Sequence, residues 1–209
     1  MIVSVFDQLE RHYGRFDWWP SKDPYQIMVG AILVQNTNWK NAEKAIANLG
    51  DRLNPETISS MPIEALVQSI RSSGYYNQKA LKLKAMTEWY AEYEFDITQV
   101  KKQDLALLRK ELLSIKGIGG ETADVFLTYA IGKPSFVIDA YARRIFSRHG
   151  LVVPKSYEAF RDMMQSAIPP DTDVYAYYHG LIVEHGQQFC RTNPLCAQCP
   201  LTHSCQKRS

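Results

Sequence analysis

The sequence predicts an all-α protein of roughly ten helices, and two observations support this. Apolar residues recur at helical spacing in several segments, and glycines or Gly-Pro pairs separate those segments. A β-sheet would require alternating apolar and polar runs at short regular intervals, and the sequence does not show them.

The individual segments support helices in chain order. Ile27–Val34 is strongly apolar, and because Trp39–Leu49 after it keeps helical spacing, a buried helix is predicted rather than a strand. Residues 62–72 carry their apolar side chains on one stripe, and similar stripes start at Gln78 and Leu105. The predicted helix ends are marked by glycines at positions 74, 117, 119 and 132.

Composition places the chain among ordinary soluble proteins. Hydrophobic residues make up 45% and charged residues 22%, as is typical of globular domains. No apolar run reaches the roughly 18 residues that a membrane span needs, so we expect no membrane association. The first residues carry neither a basic region nor a small-residue cleavage site. We therefore expect no secretory signal and a cytoplasmic location.

The net charge of +2 is small, but its distribution is uneven. Between Lys101 and Lys155 the sequence has ten Lys or Arg residues and five Asp or Glu residues. Such an excess predicts a basic face suited to nucleic acid. The alternative is that these charges scatter over a solvated surface.

Four cysteines lie within the last 20 residues, at positions Cys190, Cys196, Cys199 and Cys205, with the spacing C-x5-C-x2-C-x5-C. Two disulfides are one interpretation, but reducing thiol pools disfavour them in the cytoplasm. A metal site is therefore the better interpretation. The spacing alone leaves both zinc and an iron–sulfur cluster open.

Residues 112–124 predict two helices joined by a tight turn. The first is expected to end at Gly117 and the second to begin near Gly120, with Gly119 in the turn. Glycines let a backbone approach another chain closely, and free amides at a helix start suit a phosphate oxygen. The hairpin, with Lys116 beside it, is therefore a candidate for contacts to a nucleic-acid backbone. An ordinary helix connection is the alternative.

Downstream, the apolar run Phe136–Ile138 brings the carboxylate of Asp139 to the start of another predicted helix. Asp139 fits a simple N-cap. Beside a nucleic-acid groove the same carboxylate could deprotonate a nucleophile or stabilise positive charge on a sugar.

Together these motifs resemble endonuclease III-like DNA glycosylases of the helix-hairpin-helix superfamily. The resemblance covers the chain from about Pro24 to Cys205, and one interval departs from it, because the first two cysteines enclose five residues where the family has six. The motifs that carry it occur in the family's order, at residues 74–80, 115–123, 137–139, 181–186 and 190–205.

The resemblance implies two helical domains with a DNA-binding cleft between them. Residues 23–133 would form a helical barrel with the helix-hairpin-helix at about 112–131. Residues 1–22 and 134–209 would form the second domain, with a [4Fe–4S] cluster held by the four cysteines in the 190–205 loop. The expected partner is double-stranded DNA with a damaged base flipped into the cleft. The expected enzyme is a bacterial or archaeal monomer.

In bifunctional members of that family a lysine lies 18 residues before the aspartate, and Glu121 stands at that position here. A carboxylate cannot form the imine that leads to strand cleavage. The resemblance therefore implies a monofunctional enzyme in which Asp139 assists water or stabilises an oxocarbenium ion. Glu121 either faces the base pocket or the water, or stabilises its helix start. Lys116 is expected to contact a phosphate.

Within the family, the hairpin, Gln35 and the aromatic residues ahead of it resemble the 3-methyladenine glycosylases of the endonuclease III type. The adenine-mismatch branch is disfavoured because its catalytic glutamate is replaced by Ala31. Trp18 and Trp19 would sandwich a cationic alkylated base, or else pack in the core. Gln35 would fill the gap left by the flipped base, or bond to backbone. The alternatives are a glycosylase and lyase for oxidised or mismatched pyrimidines, and a non-catalytic damage-binding module.

Overall fold

A computed structural model describes residues 1–207, and it confirms the predicted all-α class. Within these residues the chain forms twelve α-helices and no strand. The last two residues of the second predicted domain lie outside this range. No helix in the described part is both long enough and apolar enough to cross a membrane.

The chain divides into two compact units. The hairpin unit is Ser21–Lys133, and the aspartate unit comprises Met1–Pro20 and the chain from Pro134 onward. The helices of the hairpin unit are α2 (Pro24–Leu33), α3 (Trp39–Leu49), α4 (Pro55–Ser60), α5 (Ile63–Ser69), α6 (Tyr76–Ala91), α7 (Ile97–Lys102), α8 (Leu105–Ser114) and α9 (Gly120–Val125). Those of the aspartate unit are α1 (Ile2–Tyr13), α10 (Ala140–His149), α11 (Tyr157–Ala167) and α12 (Thr172–Gln188).

Helix α2 is the central helix of the hairpin unit. It begins with the side chain of Asp23 accepting a hydrogen bond from the Gln26 amide, and Pro24 occupies its first turn. Its residues from Ile27 to Leu33 are all buried, as expected for a helix that is apolar on every side. It packs against α3 and α6. The buried helix predicted from the apolar run is confirmed.

The hairpin differs from the prediction at the end of its first helix. Helix α8 ends at Ser114 rather than at Gly117. The backbone turns extended at Ile115, whose side chain is buried together with that of Ile118. Burying both isoleucines folds the turn inward, and the helix stops three residues early to allow it.

An ion pair fastens the two hairpin helices together. The Arg109 guanidinium on α8 donates to both carboxylate oxygens of Asp124 on α9, at 2.8 and 3.2 Å. The Asp124 side chain is fully buried, and such bidentate geometry is the strong form of this contact. Helix α9 then continues as a π-helical turn over Phe126–Ile131.

The aspartate unit has a core built from α1, α10, α11 and α12. Two tyrosines of α12 bind the N-terminal segment to it. Tyr178 donates its hydroxyl to the carbonyl of Ile2 at 2.7 Å, and Tyr177 donates to that of Gly14 at 2.6 Å. Residues from both ends of the sequence therefore share one core.

Candidate functional site

Asp139 is the N-cap of α10, and its side chain is about nine-tenths buried. One carboxylate oxygen, Oδ1, accepts a hydrogen bond from the Ala142 amide at 2.7 Å. The other, Oδ2, lies 3.6 Å from Nε2 of His179. The buried run Phe136–Ile138 leads into this cap. The capping role and a chemical role are therefore compatible, because capping requires only one of the two oxygens.

Sequence reasoning missed His179. It is buried within α12 and faces the aspartate from a different helix. A histidine in an apolar helix carries no local signal of such a contact, because the contact arises only when α10 and α12 pack together. The Asp139 and His179 side chains thus form a pair of acid and histidine within salt-bridge distance.

Trp18 lies against α12 at Gly180. A Cβ atom at Gly180 would lie 2.8 Å from Cβ and 2.9 Å from Cγ of Trp18, so only glycine lets the tryptophan pack this closely. Gly180 directly follows His179 in the helix. The Trp18 side chain is half-buried and meets Phe16 edge-on, with ring centroids 6.5 Å apart. Trp19, the second predicted pocket residue, is also half-buried.

The hairpin turn presents exposed glycines and a lysine. Gly117 has φ +90°, a backbone conformation that residues with a Cβ rarely adopt. Gly119 caps α9 without a side chain, so the free amides of the first helical turn face no capping group of their own. Lys116 is exposed beside them. This arrangement can accept a phosphate oxygen.

Glu121 occupies the first turn of α9, where its side chain is exposed. A negative charge at this end of a helix is favourable because of the helix dipole. The next residue, Thr122, is buried, and its hydroxyl oxygen accepts a hydrogen bond from the side chain of Gln35.

The amide of Gln35 bonds two side chains rather than the backbone. Its Nε2 donates to Oγ1 of Thr122 at 2.9 Å, and its Oε1 accepts from Nζ of Lys82 at 2.5 Å. Gln35 follows α2, and the next residue, Asn36, is exposed with φ +54°. The turn after α2 is thus tied by Gln35 to both α6 and the hairpin.

Tyr75 was also missed. It precedes α6 in the left-handed region, with φ +45°, and 70% of its surface is exposed. A non-glycine residue in this conformation stores strain, and such strain is concentrated at functional sites. The signal available in the sequence was an aromatic residue directly after Gly74, at a predicted helix start.

The four cysteines are free thiols that line one cavity of about 310 Å³. The helix before them supplies His185, which also lines the cavity and places Nε2 3.5 Å from Sγ of Cys199. No three His, Cys, Asp or Glu side chains of residues 1–207 converge as a ready site for one ion. The cysteines therefore surround a space rather than a point.

Positive groups and donors surround the thiols. Arg148 on α10 donates to Sγ of Cys190 at 3.6 Å and to the carbonyl of Thr192 at 3.0 Å, while the Lys207 amide donates to Cys205 at 3.4 Å. Burial raises the pKa of the Cys199 thiol, and the other three cysteines raise it further. Burial also lowers the pKa of His185 to about 4. Four thiolates here would need a metal to offset their repulsion.

Residues 29–170 match the HhH-GPD superfamily of base excision DNA repair proteins. The chain belongs to this superfamily. A provisionally named DNA repair glycosylase of Methanocaldococcus jannaschii is 42% identical over 98% of this chain and 96% of its own length. Endonuclease III of Thermotoga maritima is 28% identical, and the match covers 88% of this chain and 83% of that protein.

Solved structures of the HhH-GPD superfamily resemble the fold closely. The H. pylori 3-methyladenine DNA glycosylase bound to 1,N6-ethenoadenine has a TM-score of 0.76 at 26% identity, covering 90% of this chain and 96% of its own. An endonuclease III–DNA complex has a TM-score of 0.82 at 22% identity, covering 99% and 94%. The chain is an endonuclease III-like member of this superfamily, and its likeness to the endonuclease III–DNA complex shows a shared fold.

Proposed function

We propose that this protein is a monofunctional DNA glycosylase that hydrolyses the glycosidic bond of an alkylated purine, such as 3-methyladenine, in duplex DNA. One observation carries the proposal. Asp139 is a buried carboxylate with one oxygen used in capping, while Glu121 replaces the imine-forming lysine in the hairpin. An acid at position 121 removes the amine on which strand cleavage depends.

In the proposed reaction Asp139 acts through Oδ2. The capping bond to the Ala142 amide fixes the carboxylate, so Oδ2 is held in place before substrate arrives. It takes a proton from water as the water attacks C1′, or stabilises the positive sugar as the base departs. On α12, Nε2 of His179 lies 3.6 Å from the same oxygen. The products are the free base and an abasic site.

Trp18 is the proposed wall of the base pocket. It packs on α12 at Gly180, the residue that follows His179 in the sequence, and it lies in the same unit as Asp139. An alkylated purine carries positive charge, and an indole face attracts a cation by about 0.5–2 kcal/mol. Normal bases lack that charge and gain less. The H. pylori relative, named as a 3-methyladenine glycosylase bound to an adenine adduct, supports this class of substrate.

The hairpin unit is proposed to hold the DNA. Lys116, Gly117, Gly119 and Gly120 would bind phosphate oxygens without reading sequence. A flipped nucleotide leaves a gap in the stack, and we assign Gln35 and Tyr75 to it. The exposed ring of Tyr75 can stack on a neighbouring base, which is worth about 1–3 kcal/mol.

We also propose that Cys190, Cys196, Cys199 and Cys205 hold a [4Fe–4S] cluster. The cavity that all four line, and the donors around it, support this ligand set. Bound there, the cluster would cross-link the C-terminal loop through its four thiolates.

Iron and acid-labile sulfide should be present at about four each per chain, with broad absorption near 400 nm. Cys199→Ser should lower both, whereas His203→Ala, in the same loop but exposed, should not. One zinc ion per chain without that absorption would contradict the cluster.

A second candidate is a glycosylase and lyase acting on oxidised or mismatched pyrimidines. The several curated relatives named endonuclease III favour it. Because position 121 has no amine, this activity would require an amine from another residue to attack the sugar.

Base release from a panel of duplexes tests the proposal. The panel contains methylated purines, oxidised pyrimidines, uracil and T·G mismatches, and released bases are identified by chromatography and mass spectrometry. We expect methylated purine to be released, with strand breaks only after alkali. Release of an oxidised pyrimidine with breaks before alkali would favour the second candidate. No release of any base would favour a non-catalytic damage-binding module.

A further inference from the structure

Two lysines of helix α6 contact the turns that contain Gln35 and Tyr75, which are proposed to face DNA. Lys79 is fully buried, and its ammonium donates to the carbonyl of Leu33 at 2.8 Å and to that of Ser73 at 2.6 Å. These carbonyls lie just before Gln35 and Tyr75 in the sequence. Lys79 therefore holds the two turns side by side. Because both acceptors are backbone atoms, this contact sets the positions of the turns but not the orientation of the Gln35 side chain.

Lys82 lies one helical turn after Lys79 and contacts the Gln35 side chain itself. An ammonium can only donate, so the atom of Gln35 that it meets must be the amide oxygen. The amide nitrogen is then directed to Thr122 of α9, at 2.9 Å. Lys82 and Thr122 together leave the amide only one orientation.

The stem of Lys82 also lies on the hairpin. A Cβ atom at Gly117 would come within 2.6 Å of Cε and 2.7 Å of Cγ of Lys82. The lysine thus touches the turn proposed to bind phosphate and the glutamine proposed to fill the gap. One side chain connects the two parts of the DNA-facing surface of the hairpin unit.

We infer that Lys82 is a positioning residue that fixes the Gln35 amide in one orientation against the hairpin, so that Gln35 discriminates the base opposite the lesion. The inference rests on the proposed function, since it assigns Gln35 to the gap left by a flipped nucleotide. A fixed amide presents its remaining N–H and lone pair in one pattern, and only some bases match it. A free amide would rotate and accept them all.

Binding to duplexes with a tetrahydrofuran abasic analogue opposite each of the four bases tests this without requiring base release. Lys82→Met keeps the stem on Gly117 and removes the ammonium. We expect it to weaken binding about tenfold opposite the preferred base, as the loss of a charged hydrogen bond would. The differences in affinity among the four opposite bases should become smaller. Lys82→Arg should restore most of these differences, and Lys44→Met, on the exposed face of α3, should change nothing.

A double-mutant comparison separates positioning from direct DNA contact. If Lys82 acts through Gln35, Lys82→Met should add no further loss to Gln35→Ala. An equal loss in both backgrounds, or a salt slope reduced by about one, would mean that Lys82 contacts a phosphate and would overturn the inference. Wild-type affinity in Lys82→Met would overturn it as well.

The side-chain amide resonances of Gln35 in the DNA-free protein distinguish failure of this inference from failure of the proposed function. We expect them to be shifted and slow to exchange in wild type, and to move toward free-amide values in Lys82→Met and Thr122→Val. If the Gln35 resonances move in this way but abasic duplexes bind no better than intact ones, Lys82 does position Gln35. In that case the base discrimination by Gln35 and the proposed function are both wrong. Unchanged resonances in Lys82→Met would contradict the positioning whatever the DNA result.

Discussion

Two helix starts, one in each unit, differ in how their first amides are satisfied. The N-cap of helix α9 is Gly119, which has no side chain to cap it, whereas the N-cap of α10 is Asp139, whose carboxylate accepts from the Ala142 amide at 2.7 Å. An uncapped start leaves its donors available to an anion from outside. A capped start instead fixes its own carboxylate. We assign binding of the DNA backbone to the first start and chemistry on the sugar to the second.

One structural element, a helix N-terminus, therefore serves opposite purposes depending on the residue that caps it. At α9 the turn residues Lys116, Gly117 and Gly119 are exposed, and the two glycines have no side chain of their own to cover the helix start. At α10 the cap is buried between α10 and α12, beside His179. Changes at the open start should therefore affect affinity, and changes at the capped start should affect rate.

The largest expected effect is at the capped start. Asp139→Asn should lower the single-turnover rate of base release by about 10²–10⁴-fold, because the neutral amide can cap the helix but cannot accept a proton. Binding to an abasic duplex should stay within about twofold. Asp171→Asn alters the exposed N-cap aspartate of α12 and serves as the matched control, with unchanged rate. A rate for Asp139→Asn near that of wild type would remove Asp139 from the chemistry.

The next largest effect is expected at Gly180, where Trp18 packs on α12. Gly180→Ala places a methyl group 2.8 Å from Trp18 and must displace the indole. Release of a methylated purine should fall about tenfold, as loss of an aromatic contact to a cation would cause. In a Trp18→Ala background the same substitution should have no further effect. A full additional loss there would show that Gly180 acts independently of Trp18.

At the open start, Gly117→Ala should destabilise the hairpin unit by about 1–3 kcal/mol, because φ is +90° and the new methyl meets the Lys82 stem. Denaturant unfolding measures this loss, and affinity for duplex DNA should fall with it. Gly14→Ala is the control for backbone conformation alone, since φ is +67° there and nothing lies within 4 Å. If both variants lose the same stability, the contact with Lys82 does not contribute.

The smallest effect should come from Lys116→Met. An exposed lysine beside the turn contributes one phosphate contact, so affinity should drop about threefold and the salt slope by about one, equally for damaged and intact duplexes. Titrations at several salt concentrations provide both values. A loss restricted to damaged DNA would place Lys116 in damage recognition instead of backbone binding.

The sequence predicted elements better than contacts. Apolar periodicity located the buried α2 and the helices that follow it, because the spacing of apolar residues along the chain reflects which helix face is buried. It overextended α8 by three residues, since the buried positions of Ile115 and Ile118 depend on how the turn packs. No role was predicted for His179, Lys82 or Tyr75 for the same reason, although Tyr75 lies in the 74–80 motif that carries the resemblance. Their roles depend on contacts between helices or on a strained φ, and neither has a local pattern.

Borohydride trapping on a methylated-purine duplex, with wild type and Glu121→Lys side by side, tests the central claim most directly. The account predicts that wild type releases the base with no trapped adduct, because Asp139 directs water and position 121 offers no amine. Glu121→Lys should form a covalent adduct with the sugar, since an amine then stands at the start of α9. A trapped adduct with the wild-type protein would contradict the account, because another amine would then be attacking C1′.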